Sequence, residues 1–448
     1  MNEHQDMSQL IAPLSTADEH SQLTLWNNMV DQGLDDKSIA TVLEAFPVEQ
    51  RVRLWRNLSL ESHVNVLTEM RAEARMSILN ALSEAELKLT LKRLDNLALL
   101  EWADSLPDDI VNEAMRLLSR EELELYDRAI EYDDQHIGHW VEQKLFTLPF
   151  SISVRRAKVL LETDQQETPR YVYLINRAKQ FKGLVLYSDI IRAPEGTLLK
   201  SLRKVQVTTL DAHQSLADAV DAIEYSDYPV VPVLGDENKL IGHVDWRFAL
   251  STQREQYEAR LMAGTGLDEN DDLFAPILKG TKKRGLWLGI NLLTAILASI
   301  TIGLFENVIT QVVALAVLMP IVASMGGIAG SQTLTLMIRG MALNQVTPGN
   351  RWALLRNEIG IGVINGVIWA AIIGGLAGLW FSSLLIGLTI ALAILVNMAT
   401  AAFFGVMIPI LLHKLKLDPA LAGSVVLTTM TDVIGFFAFL GTASLVML

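Results

Sequence analysis

The chain has no cysteine, so disulfides and cysteine-ligated zinc are both excluded. A second absence is regional: the stretch Ile359–Leu412 contains no Asp, Glu, Lys or Arg. Beyond Gly280 only 4 carboxylates and 8 basic side chains remain, a balance of +4 against −18 for everything before it. The first ten residues contain neither a basic stretch nor an apolar one, so no secretory signal is expected. The overall acidity, −14 across 448 residues, argues against nucleic acid as a partner. No P-loop and no nucleophile–base constellation occurs, so no enzymatic activity is expected.

What is present divides by solvent. A spanning helix needs roughly 20 apolar residues, and five such runs fit, at about 285–304, 312–338, 359–381, 383–412 and 422–447. The lipid bilayer is therefore an expected partner of the last third of the chain. Lys282, Lys283 and Arg284 precede the first run. Arg339, Arg351 and Arg356 lie between the second and third, and Lys414 and Lys416 between the fourth and fifth. The alternate connections, at Glu306-Asn307 and Ser382-Ser383, carry no basic residue. Basic loops stay on the cytoplasmic side. The N-terminal domains are then cytoplasmic, the C-terminus lies outside, and the chain is a multi-pass protein of the cell inner membrane.

Before the membrane part, Phe46, Leu58, Met70, Leu82, Leu94, Leu106 and Leu118 recur at a strict spacing of twelve. Pro47, Ser59, Arg71, Ser83, Asp95, Pro107 and Ser119 follow them, mostly residues suited to a helix cap or first turn. Helices of two to three turns cannot bury an apolar face alone, so they must stack into a solenoid-like array. From about His139 the texture becomes strand-like, at Tyr171–Ile175, Gly183–Leu186 and Pro229–Val233. Phe181–Asp189 aligns with Leu240–Phe248, which resembles a tandem pair of CBS domains. That resemblance implies a cleft for an adenine nucleotide such as ATP, with Asp189 at the ribose-contacting position and Phe248 in its place in the second half. The acidic run Asp268–Asp272 lacks EF-hand spacing and reads as a solvated turn.

The expected fold is thus multi-domain. An α-helical repeat N-domain occupies 1–132, an α/β tandem CBS pair 133–252, a connecting helix and linker 253–283, and a five-helix transmembrane domain 284–448.

Chemistry is expected inside the membrane. Asp432, within Thr428-Thr-Met-Thr-Asp432, is the one charged residue between Asp418 and Leu448. A charge at the bilayer centre costs roughly 2.5–3.5 kcal/mol, and no Lys or Arg lies within the five runs to pair with it. A cation or a proton is then the natural counter-charge, with Thr428 and Thr431 supplying further oxygens. All-oxygen ligation with one carboxylate per chain suits a hard, largely hydrated ion such as Mg²⁺. In the second run Pro320, Gly326, Gly327 and Gly330 weaken the helix, and Ser331 and Gln332 add polar groups. That pattern fits either a broken, pore-lining helix or close small-residue packing.

Taken together, Pro320…Gly326-Gly327…Gly330-Ser331-Gln332…Arg339 and Asp418-Pro-Ala-Leu421…Thr431-Asp432…Gly435 resemble the MgtE family of magnesium transporters. The family is similar to the solute carrier 41 group, and the likeness covers nearly the whole chain. It implies a homodimeric Mg²⁺ channel with its pore between the paired second and fifth spans. Asp432 would be the pore carboxylate and the span-two glycines a carbonyl-supplying bend. The stretch Ser251–Lys279 would be a gate-plugging helix, and regulatory Mg²⁺ between the soluble domains would close the pore. Two alternatives stand beside this reading: a membrane-anchored CBS sensor, and a transporter of another divalent cation such as Mn²⁺ or Co²⁺.

Overall fold

A computed structural model describes residues 7–163, 169–204, 206–268, 270–342 and 345–447. Met1–Asp6, Glu269 of the acidic run and Leu448 lie outside the described residues, and with them the ends of the first and last expected domains. The chain forms two compact units. One comprises residues up to Tyr257 together with segment 269–275, and the other comprises 258–268 and everything from Pro276.

The first unit opens with ten short helices between Met7 and Ala129. The twelve-residue period is their punctuation. Each recurring apolar residue falls at a helix end and turns inward: Phe46, Leu58, Met70, Leu94 and Leu106 are buried, Leu82 and Leu118 half-buried. Pro47, Arg71, Ser83, Asp95, Pro107 and Ser119 are the N-cap residues of the next helices. Ser83 and Glu86 form a reciprocal capping box. Trp26, Trp55 and Trp102 fill the core between turns. Two arginines 24 positions apart, Arg51 and Arg75, are also fully buried, and each donates to the carbonyl eight residues earlier, Leu43 O and Leu67 O. Burial pushes the Arg75 guanidinium down to about 10, partly offset by the charge of Glu101.

Two small sheets follow. Strands β1 (Thr147–Pro149), β2 (Tyr171–Ile175) and β3 (Phe181–Leu186) form one; β4 (Leu210–Asp211), β5 (Val230–Leu234) and β6 (Leu240–Asp245) form the other. In both, the first pair is parallel and the second antiparallel, and the register slips at the corresponding place, Leu174/Ile175 and Val233/Leu234. This is the tandem α/β pair expected from the sequence. The matched glycines are steric requirements. Gly183 sits at φ +141°, where a side chain would also press on the Lys204 carbonyl, and a Cβ on Gly242 would come within 2.8 Å of the Glu142 carbonyl.

The connecting stretch differs from expectation. Its helix, Trp246–Ala263, ends there, and Leu267, Asp268 and the stretch 270–276 are irregular. Gly266 turns the chain with φ +73°, beneath the Trp287 ring, and Pro276 N-caps the next helix. Ser251–Lys279 is therefore not one continuous helix. Nor is all of the acidic run solvated, because Asp272 is buried in the first unit.

The second unit holds five helices long and apolar enough to cross a membrane: Ile277–Gly303, Ala314–Ala342, Arg351–Trp380, Leu384–Lys414 and Pro419–Met447, spans one to five. A short helix, Glu306–Gln311, joins spans one and two. Spans one and three each begin 8 residues before the apolar run does, because polar turns continue the helix. Span four is the axle of this unit, packed against spans two, three and five, and its buried face is the most extensive.

Candidate ion pathway in the membrane unit

Asp432 lies on span five and is half-buried. Among the described residues no basic side chain and no hydrogen-bond donor meets its carboxylate. Thr428, one helical turn earlier on the same face, is exposed and donates its hydroxyl to Ser424 O at 2.8 Å. Thr431 is fully buried and donates to Thr428 O at 3.0 Å. Its side chain therefore belongs to the helix packing, not to the open face. No group of three His, Asp or Glu converges among the described residues, so one chain offers Asp432 as a lone carboxylate.

Span two is a continuous helix of 29 residues with Pro320 inside it. The broken-helix expectation is not met, and the close-packing reading fits the glycines better. A Cβ on Gly326 would overlap the Asn397 amide, and one on Gly330 would lie 2.9 Å from the Leu427 side chain. These two glycines let spans two, four and five approach, which takes the place of the direct ligand role expected of them. Gly327, by contrast, faces open space. Ser324, Ile328, Ser331 and Thr335 fall at helical spacing, and each is exposed, as is Gln332. A single chain thus presents a partly polar stripe on span two and a Thr428–Asp432 stripe on span five.

Two side chains central to this arrangement were not singled out from the sequence. Asn397, fully buried on span four, donates Nδ2 to Val322 O at 2.8 Å. It fills the notch between Gly326 and Gly435, and its Oδ1 has no hydrogen-bond partner. The signal was available: Asn397 is the one amide in the uncharged part of span four. Glu358, buried on span three, accepts from Thr333 Oγ1 of span two at 3.0 Å. It was hidden because the apolar run begins one residue after it.

In the soluble unit, Asp189 stands in the first turn of the helix Tyr187–Arg192, its Oδ2 3.5 Å from Lys204 Nζ.

A soluble helical-repeat and CBS unit joined to a five-helix membrane unit, with a lone carboxylate on the last helix, defines a class: multi-pass membrane proteins that handle a cation under the influence of soluble domains. Known proteins make the class specific. A family model described as a divalent cation transporter matches residues 319–442. The MgtE intracellular N domain matches 34–135, and a CBS domain matches 200–247. The magnesium transporter MgtE of Bacillus subtilis is 25% identical over 423 residues, covering 94% of this chain and 93% of the relative. That of Thermus thermophilus is 24% identical, covering 92% and 96%. The soluble part of a magnesium transporter resembles 56% of this chain, with 18% identity, a TM-score of 0.46 and 99% of that chain covered. The cytosolic domain of the Mg²⁺ channel MgtE in complex with ATP covers 55%, with 17% identity, a TM-score of 0.46 and 99% of that chain. The chain belongs to the MgtE family of divalent cation transporters.

Proposed function

We propose that this protein conducts Mg²⁺ into the cell across the inner membrane, as a homodimer whose pore lies between the second and fifth spans of two copies. The observation that carries this is Asp432. A carboxylate on a membrane helix that is half-open on a single chain, with neither a cation nor a donor beside it among the described residues, cannot be left facing lipid. A second copy covering the same face removes it from lipid and brings two carboxylates to one axis. Two negative charges attract a divalent ion, while so few protein ligands leave most of its water shell in place, so the ion is selected without being trapped. In this reading Asp432 and Thr428 line the path from span five. Gly327, Ser331 and Gln332 line it from span two, and Thr431, Gly326, Gly330 and Pro320 shape the helices behind them.

The test is flux into proteoliposomes followed with a Mg²⁺ indicator. Asp432→Asn keeps the shape and removes the charge from both copies, so uptake falls by roughly 100-fold, the scale of about 2.7 kcal/mol in all, while the dimer still forms on gel filtration. Undiminished uptake through this variant removes Asp432 from the mechanism. Competition with Mn²⁺ and Co²⁺ in the same assay ranks the ions. We further infer that ATP binds the first CBS half, where Asp189 offers a carboxylate to ribose hydroxyls and Lys204 a neighbouring positive charge. Equilibrium dialysis of ATP against wild type and Asp189→Ala checks this separately, and no step of conduction depends on it.

A further inference from the structure

The basic end of the membrane unit contains a cavity of about 240 Å³ between the start of span three and the end of span four. Its floor is apolar, formed by Leu355, Met407 and Ile410, and its rim carries Arg351, Lys414 and Trp352. We propose that this cavity binds the headgroup phosphate of an anionic phospholipid.

The first argument is charge. Arg351 is half-buried, and its Nε is buried with no hydrogen-bond partner, so one donor of the guanidinium faces the protein without a matching acceptor. An unmet buried donor of this kind is costly, and more so when charged. Among the described residues no carboxylate pairs with Arg351 or with Lys414. The nearby acids are engaged elsewhere: Glu358 accepts from Thr333, and Asp418 accepts from the Ala420 amide at the start of span five. Two unpaired cations on one rim are complementary to a phosphate, and a guanidinium fits phosphate oxygens in a planar fork.

The second argument is amphipathy. A free inorganic phosphate has no use for a floor of Leu355, Met407 and Ile410. A phospholipid does, because its glycerol and first methylenes continue below the phosphate. The cavity is smaller than the 300–1,000 Å³ typical of sites that enclose a whole ligand. It suits a headgroup whose tails leave along exposed apolar surface, and Leu411 of span four, 56% exposed, supplies such surface. Trp352, 63% exposed with the Arg351 guanidinium 6.0 Å from its ring centre, is placed as an interfacial anchor. If the basic loops are cytoplasmic, the ligand belongs to the leaflet rich in acidic lipids.

The test uses the full-length protein in detergent. Phosphatidylglycerol and phosphatidylcholine with matched chains are supplied together, and bound lipid is counted by native mass spectrometry. Wild type retains phosphatidylglycerol preferentially. Arg351→Gln/Lys414→Gln loses that preference by about 5-fold per charge removed, the equivalent of about 1 kcal/mol per basic residue. Arg351→Lys/Lys414→Arg keeps most of it, which separates lost charge from lost folding. A brominated phosphatidylglycerol quenches wild-type fluorescence more than that of Trp352→Phe, placing the lipid at the rim. Equal retention of the two lipids by wild type, or undiminished retention by the Gln pair, overturns the proposal. So does displacement of the lipid by inorganic phosphate alone, because the ligand would then be the free ion. The readout is binding, so it stands or falls independently of transport.

Discussion

Asn397 shows how much one polar side chain inside a membrane unit can organise. Its amide bridges to a backbone carbonyl of span two, and its bulk fills a notch that only Gly326 and Gly435 leave open. The position of Asp432, one turn before Gly435, therefore depends on a side chain of another span. Hydrogen bonds between membrane helices average only about 0.6 kcal/mol, so the shape of the notch matters more than the bond. Gly326→Ala is expected to lower stability by about 1–3 kcal/mol through overpacking. Adding Asn397→Ser should recover a large part of that loss, because the shortened side chain makes room. Thermal melts of the four proteins of this double-mutant cycle decide it. Strictly additive losses would mean that the two side chains do not share a site.

At the scale of elements, the segment following Leu267 is the surprise. Arg51, on the helix Val48–Arg56, holds both carboxylate oxygens of Asp272 at 2.7 and 2.8 Å, with both side chains buried. Ser77 shares the guanidinium, and Glu73 accepts from the Asp272 amide. Beside them burial pushes the Glu44 carboxyl above its ordinary range, against the pull of its hydrogen bond from the Arg71 amide. The repeat domain thus grips a segment 221 residues away, just before the helix of span one begins. Removing one partner of a buried pair leaves an uncompensated charge and costs on the order of 3–5 kcal/mol. Asp272→Ala should therefore destabilise the soluble fragment 1–275 by that amount in urea titrations. Truncation at residue 270 should reproduce the loss. A midpoint unmoved by either change would mean that the grip contributes nothing to stability.

For the whole molecule, charge asymmetry suggests both orientation and control. With basic residues confined to alternate loops, five spans would leave the two termini on opposite sides. A periplasm-dependent reporter fused beyond Met447 should be active, and one fused after Gln345 silent; the reverse pattern would invert the orientation. The soluble part carries the −18 balance. Like charges hold acidic surfaces apart at low Mg²⁺, and a divalent ion between carboxylates offsets that repulsion. If Mg²⁺ binds the compact arrangement better, it shifts the population toward it in proportion to that preference. We expect fragment 1–275 to compact in millimolar Mg²⁺ by small-angle scattering at matched ionic strength. A channel lacking residues 1–255 should conduct without shutting off. An unchanged radius of gyration together with intact shut-off in the truncated channel would show that the acidity serves solubility alone.

Much of this was legible in the sequence because it is local. The spacing of twelve from Phe46 to Leu118 set the repeat helices, since cap and core positions recur along one chain. Long apolar runs set five spans, since a bilayer admits little else. Asp432 stood out because its cost is intrinsic to the residue. Tertiary structure decided what depends on neighbours distant in sequence. It showed Gly326 and Gly330 to be contact surfaces and not a bend, because whether a glycine yields carbonyls or proximity depends on which helix lies opposite. It turned Asp272 from a solvated acid into the buried partner of Arg51, a pairing that no spacing rule could anticipate across 221 residues. It also tied Asn397 and Glu358 to span two, because a polar side chain in a membrane helix has meaning only through the partner that satisfies it.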